Sequence, residues 1–165
     1  MRMLMLLILL GSLMVACAPE NEENLKKAID VGKSYKTDTY TIKHDEIPEK
    51  KAERMEYLKE KAAPYASKEL LESDLLDRIM GRPYIAALAR QADIAVKDIT
   101  LGRQGGNSGS EEEIKLVYEI TIEVTKENEV VDELTFDGKM TVVNIDGEWQ
   151  VTKDSDNVPA DIMHG

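Results

Sequence analysis

Ile114-Lys115-Leu116-Val117-Tyr118-Glu119-Ile120-Thr121-Ile122-Glu123-Val124-Thr125 alternates without a break. Every even-numbered residue is large and apolar, and all but one of the odd-numbered residues are polar. A β-strand turns successive side chains to opposite faces. Six apolar positions of one parity therefore predict a long strand with one buried and one largely wet face. Downstream, Val130 to Ile145 predicts a second long strand with Leu134, Phe136, Met140 and Val142 inward. Asp146-Gly147 is a two-residue hairpin signal leading into Glu148-Trp149-Gln150-Val151-Thr152, with Trp149 expected to pack across that hairpin. Upstream, Ile94 and Val96 followed by Ile99 and Leu101 predict a strand whose parity slips at Lys97-Asp98.

Before residue 93 the period is helical. Leu25, Ala28, Ile29 and Gly32 mark a helix from Asn24 to about Lys36, which the β-branched run Thr37–Ile42 is expected to break. A second helix is expected from Glu46 to Ala62, capped by Asp45, with Pro48 tolerated in its first turn. A third runs from a Ser67 cap to Met80, with Gly81 as its C′ residue. Pro83 opens a short fourth, Tyr84 to Gln91. Helices followed by an antiparallel meander of about four strands make an α+β domain, with the helices on one face of the sheet.

Fourteen of the first seventeen residues are apolar, and Arg2 is the one charge among them. A positive start, a short apolar core and a small residue before a break form a secretory signal layout. The run is shorter than the roughly 20 residues a membrane-spanning helix needs, so a retained transmembrane anchor is the weaker alternative. Residues 1–16 are read as a signal peptide and 17–23 as an acidic, solvated tether. Residues 24–153 form the domain (helices 24–91, sheet 93–153), and 154–165 a polar tail. The net charge is −11, and becomes −12 once Arg2 is removed with the signal. That acidity argues against nucleic-acid binding, which needs a basic face.

Leu13-Met14-Val15-Ala16-Cys17 resembles the lipobox of bacterial lipoproteins, departing from it in Met14 where leucine is usual. The resemblance implies a diacylglyceryl group on the Cys17 sulfur, cleavage just before that residue, and membrane attachment on the extracytoplasmic face. The alternative is an ordinary signal peptide with an incidental cysteine. Cys17 is the single cysteine, so no internal disulfide forms. An exported acidic domain of this kind fits a Gram-positive bacterium.

A second resemblance rests on the helix ending in Tyr35, the Thr39-Tyr40-Thr41 break, the stretch Ala62–Leu71 and the terminal Asp146-Gly147-Glu148-Trp149-Gln150-Val151. Together they look like the nuclear transport factor 2-like superfamily, in particular the cystatin-like-fold lipoproteins of Gram-positive bacteria. The resemblance implies a curved, cone-shaped sheet wrapped around helices. Because that superfamily includes enzymes, scaffolds and assembly modules, the fold assigns no activity.

Catalytic chemistry is sparse. His44 and His164 both read as solvent-exposed, and the inward strand face holds no acid or base for proton transfer. Tyr118 reads as a core tyrosine with its hydroxyl at the rim or as a ligand contact. Tyr118, Tyr84 and Tyr65 are the candidate pocket residues. Gly106-Asn107-Ser108-Gly109-Ser110 lacks the final glycine and the strand-to-helix setting of a nucleophile elbow. Asp154-Ser155-Asp156-Asn157 begins like a calcium loop, but Pro159 stands where glycine is required. Neither a metal nor a cofactor is expected. The leading expectation is a non-enzymatic, lipid-anchored domain that binds an envelope protein or captures a ligand. The alternatives are a ligand-binding or enzymatic pocket domain, and an accessory or exclusion lipoprotein of a conjugative or envelope machine.

Overall fold

The computed structural model describes residues 18–105, 110, 112–159 and 162, with the backbone alone described over 18–20 and 74–80. Helices α1 (Ala18–Tyr40), α2 (Lys51–Ala62), α3 (Lys68–Leu71) and α4 (Asp74–Arg90) precede strands β1 (Asp93–Arg103), β2 (Glu113–Lys126), β3 (Glu129–Ile145) and β4 (Glu148–Asp156). The strands form one antiparallel sheet in the order β1-β2-β3-β4. The architecture is α+β as expected, but the sheet is an uncurled meander and not the cone implied by the resemblance.

The β half follows its sequence pattern closely. Ile114, Leu116, Tyr118, Ile120, Ile122 and Val124 are all buried, and α1 lies across all four strands. The register of β1 on β2 slips between Val96 and Asp98, as expected. Asp146 and Gly147 take positive φ values of 53° and 92°, the conformation of the expected hairpin turn. Trp149 pairs with Asn144 just inside that hairpin and is buried.

The helical half departs from expectation at several points. α1 begins at Ala18, so residues 18–23 are helix and not an irregular tether. Pro19 falls in the first turn, where its missing N–H costs nothing, and Glu23 pairs with Lys27 one turn on. α1 also runs through the expected break. Thr39 and Thr41 return their hydroxyls to the carbonyls of Tyr35 and Thr37, both at 2.7 Å, and burial of Tyr40 outweighs weak helix propensity. Asp45 caps nothing. It sits in a 3-10 turn, His44–Glu46, and Ile47, forced extended by Pro48, delays α2 to Lys51. Ser67 does cap, accepting from the Leu70 N–H, but that helix ends at Leu71. Pro83 lies inside α4 and does not open a new helix. Its neighbours Tyr84, Ala86 and Ala87 are buried, which offsets the lost hydrogen bond. Gln91, in the left-handed region, closes α4.

The expected tail boundary is wrong by several residues. β4 continues to Asp156, Asp154 is buried, and Val158 and Ile162 join the core. A bulge at Thr152 reverses the parity of β4. Trp149 and Val151 face inward before it, and Asp154 and Asp156 after it.

Two glycines set close approaches. A Cβ on Gly32 would lie 2.7 Å from the Met140 sulfur, and one on Gly138 would lie 2.2 Å from Tyr118 Cζ and 2.7 Å from the Ser155 carbonyl oxygen. Tyr118 thus lies over the bare backbone of its cross-strand partner. Gly138→Ala is expected to lower stability by about 1–3 kcal/mol, as for other overpacked cores, measured by urea denaturation. Gly102→Ala, where a Cβ meets nothing within 4 Å, serves as the control.

Candidate functional site

Under α1 lies a charged cluster assembled from opposite ends of the chain. Lys36 is fully buried. Its Nζ lies 2.6 Å from Asp154 Oδ2 and 3.3 Å from Asp156 Oδ2. Tyr118 Oη donates to Asp154 Oδ1 at 3.0 Å, and Tyr40 Oη makes a short hydrogen bond to Asp156. The same ammonium sits over the rings of Tyr118, Tyr40 and Tyr35, at 4.6, 4.8 and 5.8 Å from their centroids. Burying a lone ammonium would be prohibitive. Here two carboxylates and three aromatic faces replace its water.

The surroundings shift these groups' acidities. Burial raises Asp154 above the ordinary 3.8, outweighing the attraction of Lys36. Burial, reinforced by the two nearby carboxylates, pushes the phenols of Tyr35, Tyr40 and Tyr118 far up, so all three keep their protons. The cluster is closed to solvent.

A second feature is open. Between α2 and α4 runs a groove of about 500 Å³. Met55, Leu58, Tyr84 and Ile85 give it apolar walls, and Lys51, Arg54 and Arg82 add three cationic side chains. Tyr84 packs edge-on against Tyr57 at 5.9 Å, and its buried Oη has no hydrogen-bond partner among the described residues. A shallower hollow of about 450 Å³ beside α1 and α2 is polar, lined by Thr37, Asp38, Thr41, Glu60, Lys61 and Pro64.

The three candidate tyrosines do not meet in one pocket. Tyr118 belongs to the buried cluster and Tyr84 to the groove. Tyr65 follows α2 and donates to Asp38 at 2.5 Å. Cys17 and His164 lie outside the described residues, as do Gly106–Gly109 of the glycine loop. His44 is exposed and contacts Asp93 through Nδ1 at 3.0 Å. Although burial acts to raise Asp93, hydrogen bonds from Lys43 and His44 bring it down to about 2. Within the His44–Asp45–Asp93 group, Asp93 is already paired with Lys43 at 2.6 Å. Sequence reasoning missed Lys36, Asp154 and Asp156. A lysine within a helical run and acids after a strand carry no local signal of mutual contact.

Two predictions follow from the cluster's geometry. Lys36→Met strands two buried carboxylates and is expected to cost about 3–5 kcal/mol in urea denaturation, with part recovered when Asp154 and Asp156 are also changed to Asn. Because Asp154 is raised in the folded state, the native chain binds its proton more readily than the unfolded chain. The resulting stabilisation is complete below 3.8 and is lost as pH rises through the higher folded value. Wild type should accordingly lose more stability than Asp154→Asn as pH rises from 3.8, read from urea midpoints at successive pH values.

No family model and no curated protein sequence matches this chain. Among solved structures it is similar to a periplasmic fragment of TraM, with 11% identity, a TM-score of 0.54, and coverage of 79% of this chain and 95% of that one. It is also similar to the intermembrane space region of the chloroplast protein ARC6, with 12% identity, a TM-score of 0.44, and coverage of 80% and 95%. At such identity the first likeness is one of fold.

Proposed function

We propose that this chain is an extracytoplasmic lipoprotein, anchored to the membrane through a diacylglyceryl group on Cys17, whose α+β domain binds a partner without catalysing a reaction. The observation that carries the anchor is Leu13-Met14-Val15-Ala16-Cys17 at the end of an apolar, positively started leader. Among the described residues no helix is long and apolar enough to cross a membrane. Two acyl chains, each contributing about 0.8 kcal/mol per buried methylene, hold a protein stably.

α1 sharpens the geometry of such an anchor. Its helix includes Ala18, the residue after Cys17, and among the described side chains the first to pack on the core are Leu25 and Ala28. Residues 18–24 thus form about 10 Å of helix between the lipid and the packed domain. The periplasmic setting named for the TraM fragment agrees with an extracytoplasmic domain and favours, as a second reading, an accessory protein of an envelope machine. The non-catalytic reading is supported by the distribution of the charged groups. Lys36 and Asp154 are sealed from solvent, and the α2–α4 groove shows no carboxylate or imidazole among its described lining residues.

Mass spectrometry of the mature protein should find a diacylglyceryl cysteine as its first residue, and Cys17→Ser should move the protein out of the membrane fraction. An unmodified Cys17 or an uncut Met1 overturns the anchor.

A further inference from the structure

The buried cluster holds the parts of a condensation reaction as well as those of an ion pair. Lys36 Nζ lies 2.6 Å from Asp154 Oδ2, with both side chains fully buried. A carboxyl carbon sits about 1.2 Å from its oxygen. The amine nitrogen is therefore within about 4 Å of Asp154 Cγ, beside the roughly 3–3.5 Å of a near-attack pair. The other oxygen of that carboxyl, Oδ1, accepts from Tyr118 Oη at 3.0 Å, a donor placed where negative charge would develop on attack. A second carboxyl, that of Asp156, stands 3.3 Å from the same nitrogen with its side chain 1% exposed. The Tyr40 hydroxyl holds it there. Nucleophile, electrophile, oxyanion donor and proton acceptor thus meet at one carbon.

In water such a pair stays ionised and inert, because an ammonium has no free electron pair and a carboxylate resists attack. Burial acts against both obstacles, since removal from water disfavours charged forms; Asp154 is raised for that reason. Proton transfer across the 2.6 Å contact turns the ion pair into a neutral amine against a neutral acid. The rings of Tyr118, Tyr40 and Tyr35 surround the nitrogen and keep bulk water from the carboxyl, so the reverse hydrolysis is suppressed. Well-oriented partners within one molecule react as though each were present at about 10⁵–10⁸ M, which favours condensation.

We infer that Lys36 and Asp154 join in an intramolecular isopeptide bond, with Asp156 carrying the proton and Tyr118 holding the carbonyl oxygen. The Lys36 ammonium first gives a proton to Asp154 Oδ2. The freed electron pair on Nζ attacks Cγ, and charge gathers on Oδ1 under the Tyr118 hydroxyl. Asp156 takes a second proton from Nζ and returns it to the Oδ2 hydroxyl. The Cγ–Oδ2 bond breaks, one water leaves, and an amide remains. Asp156 ends as it began, and no oxidant or other co-reactant is consumed. The bond would tie α1 to β4 across a loop of more than a hundred residues, the kind of crosslink that most restrains an unfolded chain. With a single cysteine, the chain has no internal disulfide to serve that purpose. The ion-paired cluster is the reactant state. The pH dependence that Asp154 lends to stability belongs to the unlinked chain and disappears once the amide forms.

Peptide mapping of the folded full chain, incubated at neutral pH, tests the bond. Trypsin and tandem mass spectrometry should find Ser34–Lys43, uncut at Lys36, joined to a peptide beginning at Asp154. The joined species should be lighter by one water than its two parts. Asp156→Asn, which keeps both reacting groups, should link about a hundredfold more slowly, followed by mapping at intervals after synthesis. Lys36→Arg keeps the cation but cannot form the amide, and should melt about 10 °C or more below the linked wild type. Separate peptides from folded wild type overturn the inference, whether or not either variant folds. Loss of water confined to one peptide, as in cyclic imide formation at an aspartate, overturns it equally. Linkage of Asp156→Asn at the wild-type rate overturns the proton route. Neither peptide contains Cys17, so a failed anchor and a failed crosslink are separable.

Discussion

The buried ammonium of Lys36 fixes how the two halves of the molecule meet. α1 supplies the cation, and β4, more than a hundred residues later, supplies both carboxylates. Removing three charges from water costs several kcal/mol per ion, and the mutual attraction recovers that cost only when the geometry is good. The cluster therefore adds little net stability over a well-packed apolar core. What it contributes is discrimination among alternatives. Gly32, one turn before Lys36, is the position where α1 comes down on Met140, and Met140 pairs across the sheet with Asp154. Sliding α1 by a turn, about 5.4 Å, would press a side chain into the Gly32 contact and leave two carboxylates buried without their cation. Close packing and charge pairing thus select the same register.

That register has consequences at both ends of α1. Towards its start the helix extends past the core and carries Glu22 and Glu23. The described start of the chain is thus a continuous helix joined to the core, and not a loose tether. Towards its end, the Ile42–Ile94 bridge places the exit of α1 beside the start of β1.

The sequence was most legible where burial follows one period without interruption. The alternation of β2, the slip at Lys97 and the Asp146-Gly147 turn are local signals, and each appears in the structure. The helical boundaries were less legible because tertiary contacts overrode local propensity. Thr37–Tyr40 reads as a break, yet Tyr40 is needed against Phe136, 5.7 Å away, and against Asp156. Pro83 reads as a start, yet burial of its neighbours keeps α4 continuous. The end of β4 was hidden twice over. A bulge at Thr152 reverses the parity, and the residues then facing inward are aspartates, which signal strand interior only to a reader who already knows where Lys36 lies. The groove was partly foreseen in Tyr84, but Arg82 and Met55 come together only once α2 and α4 are packed.

The separation of charge from access bears directly on what the domain can do. General acid–base catalysis needs a titratable group within hydrogen-bond reach of a bound substrate. The group most strongly perturbed toward neutrality among the acids, Asp154, is sealed beneath α1 with its oxygens engaged by Lys36 and Tyr118. The open groove offers the reverse: accessible apolar surface beside Arg54 and Arg82. A perturbed carboxyl in a cleft would point to catalysis, whereas here the perturbed carboxyl and the cleft occupy different places. The first organises the core, and the second lies open between α2 and α4.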